Sequence, residues 1–471
     1  MKRNLLFLER VLFGDGTEPF HGVYALKING AIDHDGLVRA LTRLQEKYAM
    51  LRTAIGTDTL GRPYFHTPPS TPPIPLRIVE RTGEEDWNRE TVHELGTSFD
   101  ITNGPLLRIT WIRSADVSDL IMAFHHCMCD GGSGVALLSD LLALLDDPQA
   151  EIGKAPAFQS IRDLIPGEIL NNRRNRFKAK LAAALVHAGL SLGSLFITTK
   201  RKPAPDSGGP RLGGSRSGDP RLGGSRSGHQ RSGGPRSGHQ RSGGRRSGDY
   251  LINWKLGPEQ SKALFTHCKK EGVTVNTAIG LALMEAFKAV NGPASHGKAT
   301  CPVDIRRYMP EVKRDMLFSY GLALNISLGQ SIGSRFWEKA KALQTHVSKQ
   351  MAKLNPYEFT MIMEASHGSV HKLRRFLTYA KVGNDFMFSN MGKLDIPAQY
   401  RNFTVETIYS PTVIGPFANP NTIITTTFNG QMDFSFVSNQ DFMPRATALQ
   451  IREKAMEILF ETVAIPDSVR L

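Results

Sequence analysis

Cysteine is scarce in this chain: 471 residues hold four, Cys127, Cys129, Cys268 and Cys301. Their spacing gives no disulfide framework, and a protein of this size does not need one to be stable. Reduced thiols in a cytoplasmic setting are the expectation. No secretory leader is expected either, because Glu9 and Arg10 interrupt the first apolar run too early. Long apolar runs are lacking too. The best candidate, 181–197, contains His187, Ser191 and Ser194 and falls short of the roughly 20 residues of a membrane span. Basic residues precede it (Arg173, Arg174, Arg176, Lys178, Lys180) and Lys200, Arg201 and Lys202 follow it. We read 171–204 as a packed or crossover helix, with peripheral membrane contact as the second reading.

Acids are outnumbered: 44 Asp and Glu against 58 Lys and Arg leave a net charge of +14. The excess is local. Residues 211–250 carry nine Arg, no Lys and two acids, Asp219 and Asp249, so this stretch accounts for +7 and the rest for +7. It contains a decapeptide repeated four times, beginning Arg-Leu-Gly-Gly-Ser-Arg-Ser-Gly-Asp-Pro. Such Gly/Ser/Arg composition cannot bury a core, and 205–249 reads as a disordered linker. No aromatic interleaves the arginines before Tyr250, so base stacking has no support and specific nucleic-acid binding is not expected.

The remainder has globular texture. Strand-length apolar runs fall at 23–28, 106–112 and 120–124, a helical pattern at 35–50, and a helix at 133–145 with Ser133 as N-cap. Beyond the tether, 250–256, 322–328, 385–390 and 404–409 read as strands, and 275–290, 335–353 and 444–462 as helices. Asn429-Gly430 between 422–428 and 432–437 is a hairpin signal. The organisation expected is two α/β halves, 1–170 and 250–471, joined through 171–204 and the tether.

The run His125-His126-Cys127-Met128-Cys129-Asp130-Gly131 carries the chemistry. Histidine is the natural general base near neutral pH, and acyl transfer to a hydroxyl or amine needs one. The strand at 120–124 delivers both histidines, and successive extended side chains point to opposite faces, so only one can face a channel. Asp130 is placed to hold the loop, and Gly131 and Gly132 permit close approach. A chance match to HHxxxDG in this composition is expected in well under about one sequence in a hundred. Gly329-Gln330-Ser331-Ile332-Gly333 also fits a GxSxG nucleophile elbow, but that pattern arises by chance roughly one time in four, and no triad partners stand out. No metal site is expected, because the ligand types are crowded into one segment without a partner elsewhere.

The motif resembles the HHxxxDG signature of the chloramphenicol-acetyltransferase-like superfamily, which includes condensation domains, polyketide-associated acyltransferases, alcohol acetyltransferases and wax ester synthases. Leu51-Arg52-Thr53, Phe99-Asp100 with Gly104-Pro105-Leu106-Leu107-Arg108, Pro302-Val303-Asp304-Ile305-Arg306-Arg307 and Ser389-Asn390-Met391-Gly392 resemble further elements of that group, in the right order across both halves. The resemblance implies two similar α/β subdomains with a tunnel between them. It implies His126 as the base, with His125, Asp130 and Gly131 supporting it, Asp130 paired with Arg52, and Ser389, Asn390 and Gly392 lining the channel. Arg306 and Arg307 read either as contacts for coenzyme phosphates or as a solvated turn.

Two departures stand out: Tyr48 lies near the place where many members have a histidine, and Ser389–Lys393 replaces the DFGWG-type element. The second argues against the plant branch and, less strongly, against peptide condensation. The activity expected is transfer of an acyl group from acyl-coenzyme A or an acyl carrier protein to a lipophilic alcohol or amine, with the thioester as co-substrate and no resident cofactor. The alternatives are a peptide condensation unit and a catalytically idle scaffold with an Arg-rich tether.

Overall fold

The computed structural model describes residues 2–156, 158–195, 248–380, 383–415 and 417–463. The linker reading of 205–249 therefore lies outside the described residues, except for its last two. Two six-stranded sheets organise the rest. The first runs Thr404–Ile408, His21–Asn29, Val117–His125, Leu107–Arg113, Leu76–Glu80, with Thr412–Val413 also paired to His21–Asn29. The second runs Leu322–Ser327, Lys298–Val303, Phe386–Lys393, Thr422–Phe428, Gln431–Asn439, Asp249–Leu256.

The strand Val117–His125 is central in the first sheet, and from Ser118 onward every side chain is buried. Such a strand needs apolar residues on both faces, and Leu120-Ile121-Met122-Ala123-Phe124 supplies them. It pairs antiparallel with both neighbours, placing His21 opposite His125. The helix His34–Lys47 buries Leu37, Ala40, Leu41 and Leu44 on one face, the spacing of an amphipathic helix. Asp33 caps it through Gly36 N.

In the second sheet, strand Phe386–Lys393 points Phe386 and Phe388 into a core shared with helices Val275–Asn291 and Arg445–Val463. Asn429 and Gly430 both adopt positive φ, 46° and 78°, which is what a two-residue hairpin turn with the sheet's twist requires.

Two expectations need correction. The helix after the motif begins at Gly131, and its N-cap is Asp130, not Ser133. Asp130 accepts from Ser133 N at 2.9 Å, because a carboxylate one turn earlier reaches the free amides better than a buried hydroxyl. Second, the boundary at 250 does not separate the sheets. Thr404–Ile408 and Thr412–Val413 hydrogen-bond to His21–Asn29, so part of the C-terminal segment completes the first sheet. Within the range 171–204, read as a packed helix, a helix is described at Arg173–Leu195, and residues beyond 195 lie outside the described part. It buries Ala179 and Ala183 and is tied to the 366–379 region by His187 with Ser369 at 2.9 Å. Lys372 adds bonds to His187 at 2.8 Å and Ser191 at 2.7 Å. Among the described residues no single helix is long and apolar enough to cross a membrane.

Candidate active site

The strand Val117–His125 ends on the first motif histidine, and His125 and His126, just beyond it, lie in different surroundings. His125 is buried, only 2% exposed. Its ring lies among Phe13, His21 and Phe99, with centroids 6.0, 5.7 and 6.4 Å away. Its Nδ1 accepts from Cys127 N at 3.3 Å, so the loop is folded around it. Burial lowers its pKa to about 3, with the neighbouring His126 adding to the shift. With that shift the ring carries no charge near neutral pH.

His126 retains solvent contact. Its backbone N donates to Phe20 O at 2.8 Å, and its ring meets Phe20 edge-on at 5.3 Å. Ser319 Oγ lies 3.4 Å from Nδ1. Burial lowers the imidazole pKa, while backbone hydrogen bonds and the Asp130 charge act against the shift. A partly exposed imidazole whose pKa is lowered and whose Nδ1 has a hydrogen-bonding neighbour has the chemistry to accept a proton at its other nitrogen.

Asp130 does not meet Arg52. Arg306 Nη1 donates to Asp130 Oδ2 and Arg306 Nη2 to Oδ1, both at 3.0 Å. Nη2 also donates to Ser133 Oγ at 2.9 Å. Burial alone would lower the Arg306 pKa, but the adjoining carboxylate outweighs it and raises it. Arg52 instead donates to Gln45 O and Glu46 O, each at 2.6 Å. It caps the C-terminal carbonyls of helix His34–Lys47, where a cation suits the helix dipole. Two readings are thereby corrected: Arg52 is a helix cap, and Arg306 is neither a solvated turn residue nor free for a coenzyme phosphate.

The segment after Arg306 closes over the motif. Phe318 O accepts from Asp130 N at 3.2 Å, and Met316 O accepts from Ser133 Oγ at 3.0 Å. On the other side Tyr24 OH donates to Gly131 O at 2.6 Å. Ser389, Asn390 and Gly392 lie on Phe386–Lys393, partly exposed, and approach the motif through Met391. A Cβ on Gly131 would come within 2.9 Å of Met391 Cε. Asn390 Oδ1 accepts from Gly392 N at 2.8 Å, where Gly392 takes φ 73°. Met387 and Ser389 share the face opposite Phe386 and Phe388.

Met387 lines a cavity of about 610 Å³ together with Thr300, Asn325, Phe376, Leu377 and Phe417. Phe417 packs edge-on against Phe20 at 5.3 Å, and Phe20 packs on His126. One cavity wall is thus two rings from the imidazole.

Cys127 and Cys129 are buried, and burial pushes both thiols well above their usual pKa. Ser331 of the GxSxG match donates its hydroxyl to Leu328 O at 2.6 Å. Among the described residues no three His, Cys, Asp or Glu side chains gather to hold one metal ion. Ser319, Phe20 and Tyr24 were not picked out from the sequence. Each is a lone residue whose role exists only through a partner about a hundred or more positions away.

Two α/β sheets carrying an HHxxxDG loop clamped from the other half define the class: this is the fold of condensation domains and chloramphenicol-acetyltransferase-like acyltransferases. Residues 4–158 match the family model described as Condensation domain. The chain is similar to the first condensation domain of the CDA synthetase, with TM-score 0.64, 18% identity, and coverage of 99% of this chain and 97% of that one. It is similar also to the TRI3 trichothecene 15-O-acetyltransferase from Fusarium sporotrichioides, with TM-score 0.66, 12% identity, and coverage of 100% and 95%. In sequence it is 32% identical over 146 residues to phosphinothricin tripeptide synthetase PhsC of Streptomyces viridochromogenes, covering 29% of this chain. That match spans only 13% of the synthetase. The resemblance stated from the motifs is borne out.

Proposed function

We propose that the protein is an acyltransferase in which His126 is the general base. The observation that supports this is the difference within the histidine pair: His125 is fully buried, while His126 is partly exposed, has Ser319 Oγ 3.4 Å from Nδ1, and is separated from a cavity wall by Phe20 alone. Nε2 takes the proton of an acceptor hydroxyl or amine as its oxygen or nitrogen attacks a thioester carbonyl. The new C–O or C–N bond forms, the C–S bond breaks, and the imidazolium returns the proton to the departing thiolate. Asp130 and Arg306 hold the loop and do not touch the reacting atoms. Phe376, Leu377 and Phe417 in the cavity wall favour a lipophilic acyl chain or acceptor. The donor is acyl-coenzyme A or an acyl carrier protein, and the proton transfer needs no resident metal or redox group.

A second reading is favoured by the match of residues 4–158 to condensation domains: both substrates arrive on carrier proteins and an amide bond is made. The test is a panel of acyl-coenzyme A and carrier-loaded thioesters with alcohol and amine acceptors, read by mass spectrometry of products. The expected His126→Ala loss is roughly 10²–10⁴-fold; equal turnover in that variant overturns the reading. Product from carrier-loaded amines alone selects the second.

A further inference from the structure

The helix Arg173–Leu195 turns an apolar edge outward. Phe177, Leu181, Leu185 and Leu192 are 53–69% exposed. At about 100° per residue they fall within roughly 80° of arc, a single stripe. Cations flank it: Lys178 on one side, Arg173, Arg176 and Lys180 on the other, with Arg174 at its N-terminal end. No Asp or Glu occurs from 169 to 193. The helix Val370–Tyr379 lies alongside and continues the surface. Phe376 is 41% and Tyr379 60% exposed, Phe376 lies within 4 Å of where a Cβ on Gly193 would be, and Arg375 is exposed. This helix too has no acid. Phe376 and Leu377 at the same time line the cavity of about 610 Å³.

An apolar stripe between rows of cations, on a helix too short in its apolar part to span, is the pattern of an interfacial helix. The charge selects the occupant. The chain's own 205–249 tract has only Leu212 and Leu222 as aliphatic side chains beyond proline, and it is itself strongly basic, so it offers neither apolar cover nor opposite charge. A second copy of this face would set cations against cations. A surface that is anionic outside and apolar beneath satisfies both parts. We propose that Arg173–Leu195 and the exposed edge of Val370–Tyr379 dock on an anionic lipid bilayer, placing the rim of the cavity at the membrane. The purpose this gives the cavity rests on the acyl-transfer reading; the docking does not.

The test is co-sedimentation of the full chain with vesicles of phosphatidylcholine containing one-third phosphatidylglycerol, against vesicles of phosphatidylcholine alone. Binding is expected only to the former and is expected to weaken with salt. Leu181→Ser with Leu185→Ser, both at exposed positions, should weaken partitioning roughly tenfold with an unchanged melting temperature. Arg174→Glu with Lys178→Glu should weaken it at least as much. Failure of the unsubstituted chain to bind, or equal binding by the serine variant, overturns the proposal; the latter would assign adhesion to the Arg-rich tract. Capture of an acidic protein through this face without vesicle binding also overturns it. Because the readout is binding, loss of docking leaves turnover of soluble substrates intact, so the two readings fail separately.

Discussion

Arg306 grips both carboxylate oxygens of Asp130 at 3.0 Å across 176 positions of sequence. The side chains are 15% and 12% exposed, so the pair is largely withdrawn from water. Its value is geometric: it fastens the loop carrying His126 to the segment carrying Ser319. Removing one partner strands the other. Arg306→Ala should cost about 3 kcal/mol in urea denaturation, and kcat should fall because the base loses its mooring. Arg306→Lys should not restore it, since one ammonium cannot reproduce a two-point grip. Adding Asp130→Asn to Arg306→Ala should cost less than the sum of the two, while an asparagine at 130 keeps the cap on Ser133 N.

Neighbouring glycines should answer differently to the same substitution. A Cβ on Gly132 would meet Arg306 Nη1 at 2.9 Å, and one on Gly131 would meet the end of Met391 at a similar distance. The Met391 side chain bends away easily, whereas the guanidinium is held by Asp130 and Ser133. Gly132→Ala should therefore destabilise by about 1–3 kcal/mol and should add little on top of Arg306→Ala. Gly131→Ala should cost under about 1.5 kcal/mol. Thermal melts of the three single variants and the Gly132–Arg306 double variant measure this.

These contrasts mark what the sequence reveals and what it withholds. The histidine pair, the alternation that separates its members, the strand beneath and the Asn429-Gly430 hairpin are local, and each was readable from a few consecutive residues. Asp130 is legible as a loop-holding acid, but the motif resemblance points to Arg52 as its partner, and the structure gives Arg306. Nothing local distinguishes an arginine that caps the helix 34–47 from one that crosses to another half. The pairing of 404–408 with 21–29 was hidden for the same reason: an edge strand reads alike whichever sheet receives it. Ser319 left no trace, because one serine in a loop has no pattern.

With His126 as the proposed base, Ser319 is expected to act as a positioning residue. For Nε2 to accept a proton, Nδ1 must carry the hydrogen, and Ser319 Oγ at 3.4 Å stands to receive it. Ser319→Ala should lower kcat by up to about tenfold, the worth of one such bond, with little change in KM. Ser319→Thr, which keeps the hydroxyl, should recover part of the loss. An unchanged kcat in the alanine variant would leave the ring's orientation to the backbone hydrogen bonds alone.

The two histidines should separate in their response to acid. Both have pKa values lowered by burial. For the partly exposed His126 ring, the proposed activity needs the neutral form, so the acid limb of kcat/KM should fall below the usual 6.5, and it should vanish with His126→Ala. For the sealed ring the consequence is stability. Its folded pKa of about 3 lies beneath the value near 6.5 in the unfolded chain, so the unfolded chain takes up the proton first. The contribution is complete above about pH 6.5 and is lost progressively as pH falls toward 3. Melting temperature should therefore drop on acidification through this window. His125→Gln should melt lower at pH 7 yet lose less between pH 6.5 and 4, because the group that titrates on unfolding is gone. Parallel slopes for the two proteins would mean that the buried imidazole is not what acid attacks.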